Sequence, residues 1–343
     1  MSWRNPQTFG EQLIGELVAA MRLDQSWIVD TAGGFEWWPS GQKQRVWCDD
    51  GLFTNQSTTY RIHSEMDLIR GSGKALQFEV EIEREMDAAT MSAVVYDAKD
   101  DTYKLHSSVF ATEDNIVYLK RTCFAAVILQ VREAMIIAER LRSKLNAVVA
   151  LTEHPSMGMR PSPDPICQAP EHFFCPSGTQ ESKWRGVIEW RETELAIERE
   201  SSKFNSDHHT HLTAEFQWSA SPSNTGIALE VRTQEPHPLL GNGLHFTLMI
   251  PMIMALERIS HLALELNQLE RDSWKRTHML GSWCSHDTRL AYRMFIPNVL
   301  YRPELMPEFC LQMANRAHWV NDWFMEKRRE ADKIHNAQQQ SQS

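Results

Sequence analysis

The chain has 343 residues, of which 42% are hydrophobic and 23% are charged, so its composition is that of a globular protein long enough for about two domains. Its formal net charge of −10 at pH 7 repels phosphate backbones and anionic lipids, and we expect no nucleic-acid and no membrane partner. The N-terminus lacks the apolar segment of a signal peptide, and the six cysteines show no CxxC pairing. These features predict a cytoplasmic protein with reduced thiols.

The first predicted elements are a helix and an aromatic stretch. Apolar residues recur three or four positions apart from Phe9 to Met21, which predicts an amphipathic helix. In the stretch that follows, Trp37 and Trp38 are adjacent, and neighbours in a strand point to opposite faces. We therefore expect at least one of them to be exposed. Since an exposed tryptophan is a typical interface anchor, Trp37, Trp38 and Trp47 form our predicted partner-binding region, with core packing as the competing interpretation.

A strand with alternating apolar residues is predicted once in each half of the chain. A period of two over eight residues is typical of a half-buried strand. Each strand follows a glycine-containing turn and, before that turn, a strand-like run. The alternating sets are Leu76, Phe78, Val80 and Ile82, and Leu244, Phe246, Leu248 and Ile250; the turns are Gly71-Ser72-Gly73 and Gly241-Asn242-Gly243, and the runs are 60–68 and 227–232.

A hairpin and then a long amphipathic helix follow each alternating strand. The predicted hairpins span 91–110 and 280–296. Between strand and hairpin, the second half has a full helix near 252–270, whereas the first half has only 84–90, so we expect this helix to be reduced or lost in the first half. Five shared features in one order predict a tandem duplication of an α+β module, in which an antiparallel sheet carries helices on one face.

Proline crowds the segment between the two halves, residues 147–182. Proline at this density blocks helix interiors and central strands, which predicts a linker or a surface crossover. Residues 1–146 then form the first module and 183–330 the second. The polar residues 331–343 are predicted to be a disordered tail.

Four short strings accompany the order of sheet, helix, hairpin and long C-terminal helix: 33–39, 238–244, 280–284 and 295–303. Together, the order and the strings resemble the type III secretion chaperone-like fold, which includes the YbjN-type (TY-chap) domains. The resemblance implies a non-enzymatic, chaperone-like or accessory protein of a bacterial system that holds another protein or a peptide segment, without a cofactor. Proteins of this fold usually dimerise, so two fused copies imply a monomeric pseudo-dimer or a homodimer.

The sharpest cluster of metal-binding residue types is Asp207-His208-His209-Thr210-His211. On a strand, His209 and His211 share a face, and with Asp207 they would supply three metal ligands. A polar loop with exposed imidazoles is the commoner outcome for such a run, and no HExxH motif follows. We therefore keep a metal-dependent hydrolase at these residues only as an alternative hypothesis.

Other catalytic signatures point away from an enzyme. There is no Gly-x-Ser-x-Gly motif, and the neighbouring Cys284 and His286 fit a half-buried strand better than a catalytic pair. The row 79–83 of alternating glutamates is either a solvated sheet face or an acidic patch for a basic partner. The leading hypothesis is a binding protein, and a further alternative is a small-molecule sensor that uses the groove between the modules.

Overall fold

The computed structural model describes residues 3–54, 57–71, 76–86, 90–170, 182–187, 189–220, 225–237, 240–273 and 277–340. They form two antiparallel sheets, one in each half of the chain, with helices packed against them, so the predicted α+β class with two tandem modules is confirmed. Of the segments named in the sequence analysis, residues 72–73 of the first glycine turn, 87–89, residues 171–181 of the predicted linker, 238–239 and 341–343 lie outside the described ranges.

The first sheet is built from seven strands in the order β1-β2-β3-β5-β7-β6, with β4 paired to β5 beside this path. Helix α3 packs across β5 and β7, and α1 packs on β3. The elements are α1 Phe9–Met21, β1 Ile28–Thr31, β2 Gly34–Trp37, β3 Gln44–Cys48, β4 Leu52–Thr54, β5 Ser57–Arg70, α2 Leu76–Met86, β6 Ala93–Asp97, β7 Thr102–Ala111 and α3 Ile116–Leu145.

The second sheet is built from six strands in the order β8-β9-β10-β11-β13-β12. Helix α6 packs against α4 and against β9 and β10. The elements are α4 Glu189–Glu200, β8 Lys203–Ser206, β9 His211–Phe216, β10 Ile227–Arg232, β11 Gly243–Ile253, α5 Leu256–Asp272, β12 Ser282–His286, β13 Arg289–Pro297 and α6 Leu305–Gln340.

The two sheets have the same topology once β4 is set aside. Matching β1, β2, β3, β5, β6 and β7 with β8 to β13 reproduces the strand order, and a helix opens, interrupts and closes each module in the same place. The equivalent of β11 is therefore β5, one element earlier than the sequence pattern indicated. A shared order of nine elements agrees with the predicted duplication.

Residues Leu76–Met86 form helix α2, and the strand predicted there is wrong. The alternation was misleading because α2 is covered on more than one side. Glu83 and Glu85, which a half-buried strand would place in solvent, are both buried. Glu83 accepts hydrogen bonds from the hydroxyl of Ser260 and from the backbone N–H of Ser285, both in the second module. The Glu83 carboxylate is thus buried and hydrogen-bonded by the second module, although a glutamate at such a position usually faces solvent.

The helix between the central strand and the hairpin is present in both modules, so the first half has not lost it. It is reduced there, as one of the two expected outcomes had it, because α2 has 11 residues and α5 has 17; it lies at 76–86 and not at 84–90. At 1.5 Å per residue, α5 is longer by about 9 Å. The two modules therefore differ in the length of this helix.

The segment after α3 packs on the first module. Ala150 N–H donates to the carbonyl of Leu68 at 3.2 Å, and Thr152 N–H donates to the carbonyl of Gly41 at 2.9 Å. At the other end of the chain, α6 runs to Gln340, past the boundary at 331 where we predicted a disordered tail.

The two modules contact each other through their intervening helices. Helix α2 packs on α5 and on β12, while α5 packs on β6 and β7 of the first sheet. Ser108 of β7 and Met279 exchange backbone hydrogen bonds of 3.0 and 2.8 Å. As a result, the longer α5 lies over the face of the first sheet that α3 leaves uncovered.

Candidate functional site

Trp37 and Trp38 are both buried, so the expectation that one of them is exposed is wrong. The indole N–H of Trp37 donates to Oε1 of Gln44 at 2.7 Å within the first module. Trp38 follows the end of β2 and lies beneath the segment after α3, where its N–H donates to Thr152 at 3.1 Å and its ring packs on His154. The strand alternation failed because this segment covers the side that would otherwise face solvent. Neither ring is available to a partner on the described surface.

Trp47 is half-buried and faces away from α3. Its ring stacks on the imidazole of His63 with centroids 4.6 Å apart, and the guanidinium of Arg45 lies 4.6 Å from its centroid. Of the three predicted partner-binding residues, Trp47 alone borders the polar face of the first sheet.

The metal site that we kept as an alternative hypothesis at Asp207, His209 and His211 is not formed among the described residues. Asp207 accepts hydrogen bonds from the backbone N–H groups of His209, Thr210 and His211, so its carboxylate closes a tight turn. Although its slight burial opposes ionisation, these bonds and one from the Thr210 hydroxyl hold the pKa of Asp207 well below its ordinary value. His211 contacts Glu230 at 2.9 Å instead. Within the described ranges no three His, Cys, Asp or Glu residues are grouped so that they could hold a metal ion.

The polar face of the first sheet holds a cleft of about 500 Å³, which we call the first cleft. Strands β2, β3, β5 and β7 and the β6–β7 turn line it, and the C-terminal end of α5 from the second module forms one wall. Its lining is almost wholly ionisable, which suits a charged ligand. The acids are Glu36, Glu65, Asp67, Asp97, Asp100 and Asp272, and the bases are Lys43, Arg45, Lys99, Lys104 and Arg271.

Most charges in the first cleft are already paired. Lys104 contacts Asp97 at 2.7 Å and Asp100 at 3.1 Å. Although burial opposes its charge, these hydrogen bonds hold the pKa of Lys104 above its ordinary value. Lys43 contacts Glu36 at 3.1 Å. A ligand in the first cleft would therefore contact ion pairs that are already formed and the few charged groups that have no partner.

Glu65, in the first cleft, contacts residues of both modules. It accepts a hydrogen bond from Nδ1 of His106 at 3.2 Å and one from Nε of Arg271, on α5, at 2.5 Å. Burial alone would raise the pKa of Glu65, but these two partners hold it well below its ordinary value. Burial lowers the pKa of His106 to about 3, so a neutral imidazole donates to an ionised carboxylate at pH 7.

Asp67 is the acid of the first cleft that has no base within ion-pair distance among the described residues. It is only 8% exposed, and none of the described residues donates a hydrogen bond to its carboxylate. Burial raises the pKa of Asp67 to about 6, against the opposing charges of Lys104 and Lys43. Burial disfavours the ionised form of this carboxyl, and a cation that entered the cleft would favour it.

Two bases of the first cleft, the exposed Lys99 and the half-buried Arg45, have no carboxylate partner among the described residues. Arg45 lies opposite Glu65 in the β3–β5 ladder, and Asp67 is two positions beyond Glu65 on the same face. The Nε of Arg45 is buried and has no hydrogen-bond partner in the described part of the chain, and its guanidinium packs on Trp47. The first cleft thus offers an unpaired acid and, on the adjacent strand, an unpaired half-buried base, about 7 Å apart by strand geometry.

The α5 wall of the cleft is held in place by Arg61 of β5. Its guanidinium donates to three carbonyls at the end of α5: those of Glu270 at 2.6 Å, Arg271 at 2.8 Å and Ser273 at 3.0 Å. A cation at these orphan carbonyls caps the helix and favours its dipole. Burial lowers the pKa of Arg61 to about 10, so the group stays charged at pH 7.

The sequence contains one signal for this cleft, in the first strand-like run. Ionisable residues occupy every second position of the strand-like run 60–68, at Arg61, His63, Glu65 and Asp67. Such a set normally indicates a solvated sheet face. Its burial depends on α5, which is distant in sequence, so spacing alone does not separate a charged cleft from an open surface.

No family model, no curated protein and no solved structure matches this chain. Across the described residues, none of the helices combines the length and apolar character that crossing a membrane requires.

Proposed function

We propose that this chain is a non-enzymatic binding protein, and that the first cleft holds a polypeptide segment carrying one basic and one acidic side chain. Asp67 would receive the ammonium or guanidinium group, and Arg45 the carboxylate. The observation that carries the proposal is the buried Asp67 carboxyl without a donor, since an incoming cation would supply the missing interaction. The resemblance to chaperone-like modules, accessory proteins of bacterial systems, favours a polypeptide over a free metabolite.

The charge of the whole chain supports the basic part of this ligand. A net charge of −10 attracts a cationic segment and speeds its encounter with the protein. The cleft volume of about 500 Å³ lies within the range of small-ligand pockets and suits a short segment more than a folded surface. The buried thiols of Cys48, Cys123, Cys167 and Cys310 fit a cytoplasmic setting, which we propose as the location.

The proposal is tested by calorimetric titration of the full chain with the tripeptide Lys-Ala-Glu, capped at both ends. The neutral tripeptide Gln-Ala-Gln serves as the ligand control. We expect Lys-Ala-Glu to bind saturably and Asp67→Asn to weaken it about tenfold or more, as for a charged pair that loses one partner. Asp114→Asn, an exposed acid on the same module, should leave the affinity unchanged.

Two results would overturn the proposal. One is the absence of saturable binding up to about 10 mM peptide, which corresponds to a negligible affinity. The other is equal binding by wild type and Asp67→Asn. Binding of free lysine without binding of the tripeptide would replace the polypeptide segment by a small amine, the sensor alternative.

A further inference from the structure

A large groove lies on the α3 side of the first sheet, opposite the first cleft, and we call it the apolar groove. It has a volume of about 970 Å³. The end of α1, the first half of α3, the segment after α3 and the turn 298–300 of the second module line it, so both modules contribute to its walls. Its larger apolar residues are Met21, Phe124, Ile128, Ile166, Val299 and Leu300.

One stripe of helix α3 forms a continuous strip of the groove wall. Phe124 follows Arg121 by three positions and Ile128 follows Phe124 by four, so the three side chains lie along one face of the helix. At 1.5 Å per residue this stripe is about 10 Å long. Phe124 and Ile128 are half-buried, and Val299 in the wall from the second module is 44% exposed. Apolar surface that stays open inside a concave site favours a ligand with an apolar part.

The charged residues of the apolar groove favour an anion. Three arginines and two aspartates line it, a net charge of +1 in a chain whose net charge is −10. Arg160 contacts both acids, Asp164 at 3.0 Å and Asp24 at 3.5 Å. Arg22 and Arg121 are exposed and have no carboxylate partner among the described residues. The acids of the groove are thus already paired, whereas two of its bases are available to a ligand.

We propose that the apolar groove binds a monocarboxylate with an unbranched alkyl chain, that is, a medium-chain fatty acid. Arg121 receives the carboxylate, since a guanidinium binds both oxygens of such a group in a bidentate manner. The alkyl chain lies along Phe124 and Ile128 and removes their open apolar surface from water. With C–C bonds of about 1.5 Å in a zigzag, a chain of about eight carbons matches the length of the stripe.

This inference does not rest on the polypeptide proposed for the first cleft, and its test uses octanoate, octanol and acetate. Calorimetric titration of the full chain at pH 7 should show saturable binding of octanoate, but not of acetate, which lacks the alkyl chain. Octanol keeps the chain without the charge and should bind about tenfold more weakly. Asp67→Asn should leave octanoate binding unchanged, which separates the apolar groove from the first cleft.

Arg121→Ala tests the proposed contact with the carboxylate, and its exposed position makes a folded variant the expected result. The variant should bind octanoate about tenfold more weakly, close to the affinity for octanol, and should bind octanol as the wild type does. Arg142→Ala, an exposed arginine of the same helix, is the matched control and should change neither affinity. Octanoate binding that is absent up to about 10 mM, equal to that of octanol, or unaffected by Arg121→Ala would overturn the proposal.

Discussion

The polar faces of the two sheets have one topology and different surroundings. On the first sheet, nearly every residue of β5 from Arg61 to Ile69 is buried on both faces, whereas β11 alternates between buried and half-buried positions. The cause is the longer helix α5, whose end lines the first cleft, whereas no described residue of α2 lines the cavity of about 470 Å³ on the polar face of the second sheet. A duplicated module thus acquires a different site when its neighbour covers one copy more than the other.

The largest expected effect comes from removing the side chain that holds α5 against the first sheet. Arg61→Ala leaves three carbonyls at the end of α5 without their donor and creates a cavity, and we expect the free energy of unfolding to fall by about 4 kcal/mol. Urea denaturation measures it, with Arg258→Ala on the same helix as the control. A loss below about 1 kcal/mol would mean that Arg61 does not hold α5 on the first sheet.

Two glutamates, one on the polar face of each sheet, allow the burial of the two faces to be compared. The Glu65 side chain is 5% exposed and bonded to His106 and Arg271, whereas Glu230 is 22% exposed and bonded to Arg232 and His211. Glu65→Gln should cost about 3 kcal/mol, because it removes the buried charge that the half-buried Arg271 and the buried His106 contact, and Glu230→Gln less than about 1 kcal/mol. Chemical denaturation at pH 7 gives both values, and similar losses would contradict the difference in cover.

Asp67→Asn should stabilise the protein at pH 7.5 by about 2 kcal/mol, since its carboxyl is ionised there without a partner. Its folded pKa of about 6 lies above its ordinary value of 3.8, so stability falls as pH rises from about 4 to about 6. The variant should lack this part of the pH dependence. Thermal unfolding at several pH values measures it, and a destabilised variant at pH 7.5 would show that Asp67 serves the fold.

The smallest effect concerns the two hairpin turns. Thr288 has a φ of 62°, which strains a β-branched residue, whereas the first hairpin places Asp101 at a φ of 48°. Thr288→Gly should raise the free energy of unfolding by about 1 kcal/mol, and Asp101→Gly by less, because aspartate tolerates the left-handed region. A gain of equal size at both turns would remove this distinction between the hairpins.

The sequence was sufficient for the hairpins, the long helices and the α+β class, because each rests on local periodicity. It failed at Leu76–Met86, where the burial of Glu83 depends on Ser260 and Ser285. It failed again at Trp38, which is covered by a segment more than 100 residues away. The first cleft was missed for the same reason, since Arg271 of the second module completes it. Contacts between distant segments turned polar positions into buried ones.

The ionisation of Asp67 in the presence of ligand tests the central claim most directly. Its carboxyl carbon can be followed by 13C NMR through a pH titration of the full chain, without and with saturating Lys-Ala-Glu tripeptide. We predict that the pKa of Asp67, about 6 in the free protein, falls below about 5 when the cationic side chain binds beside it. An unchanged pKa at saturation would show that the peptide does not pair with Asp67 and would contradict the proposed site.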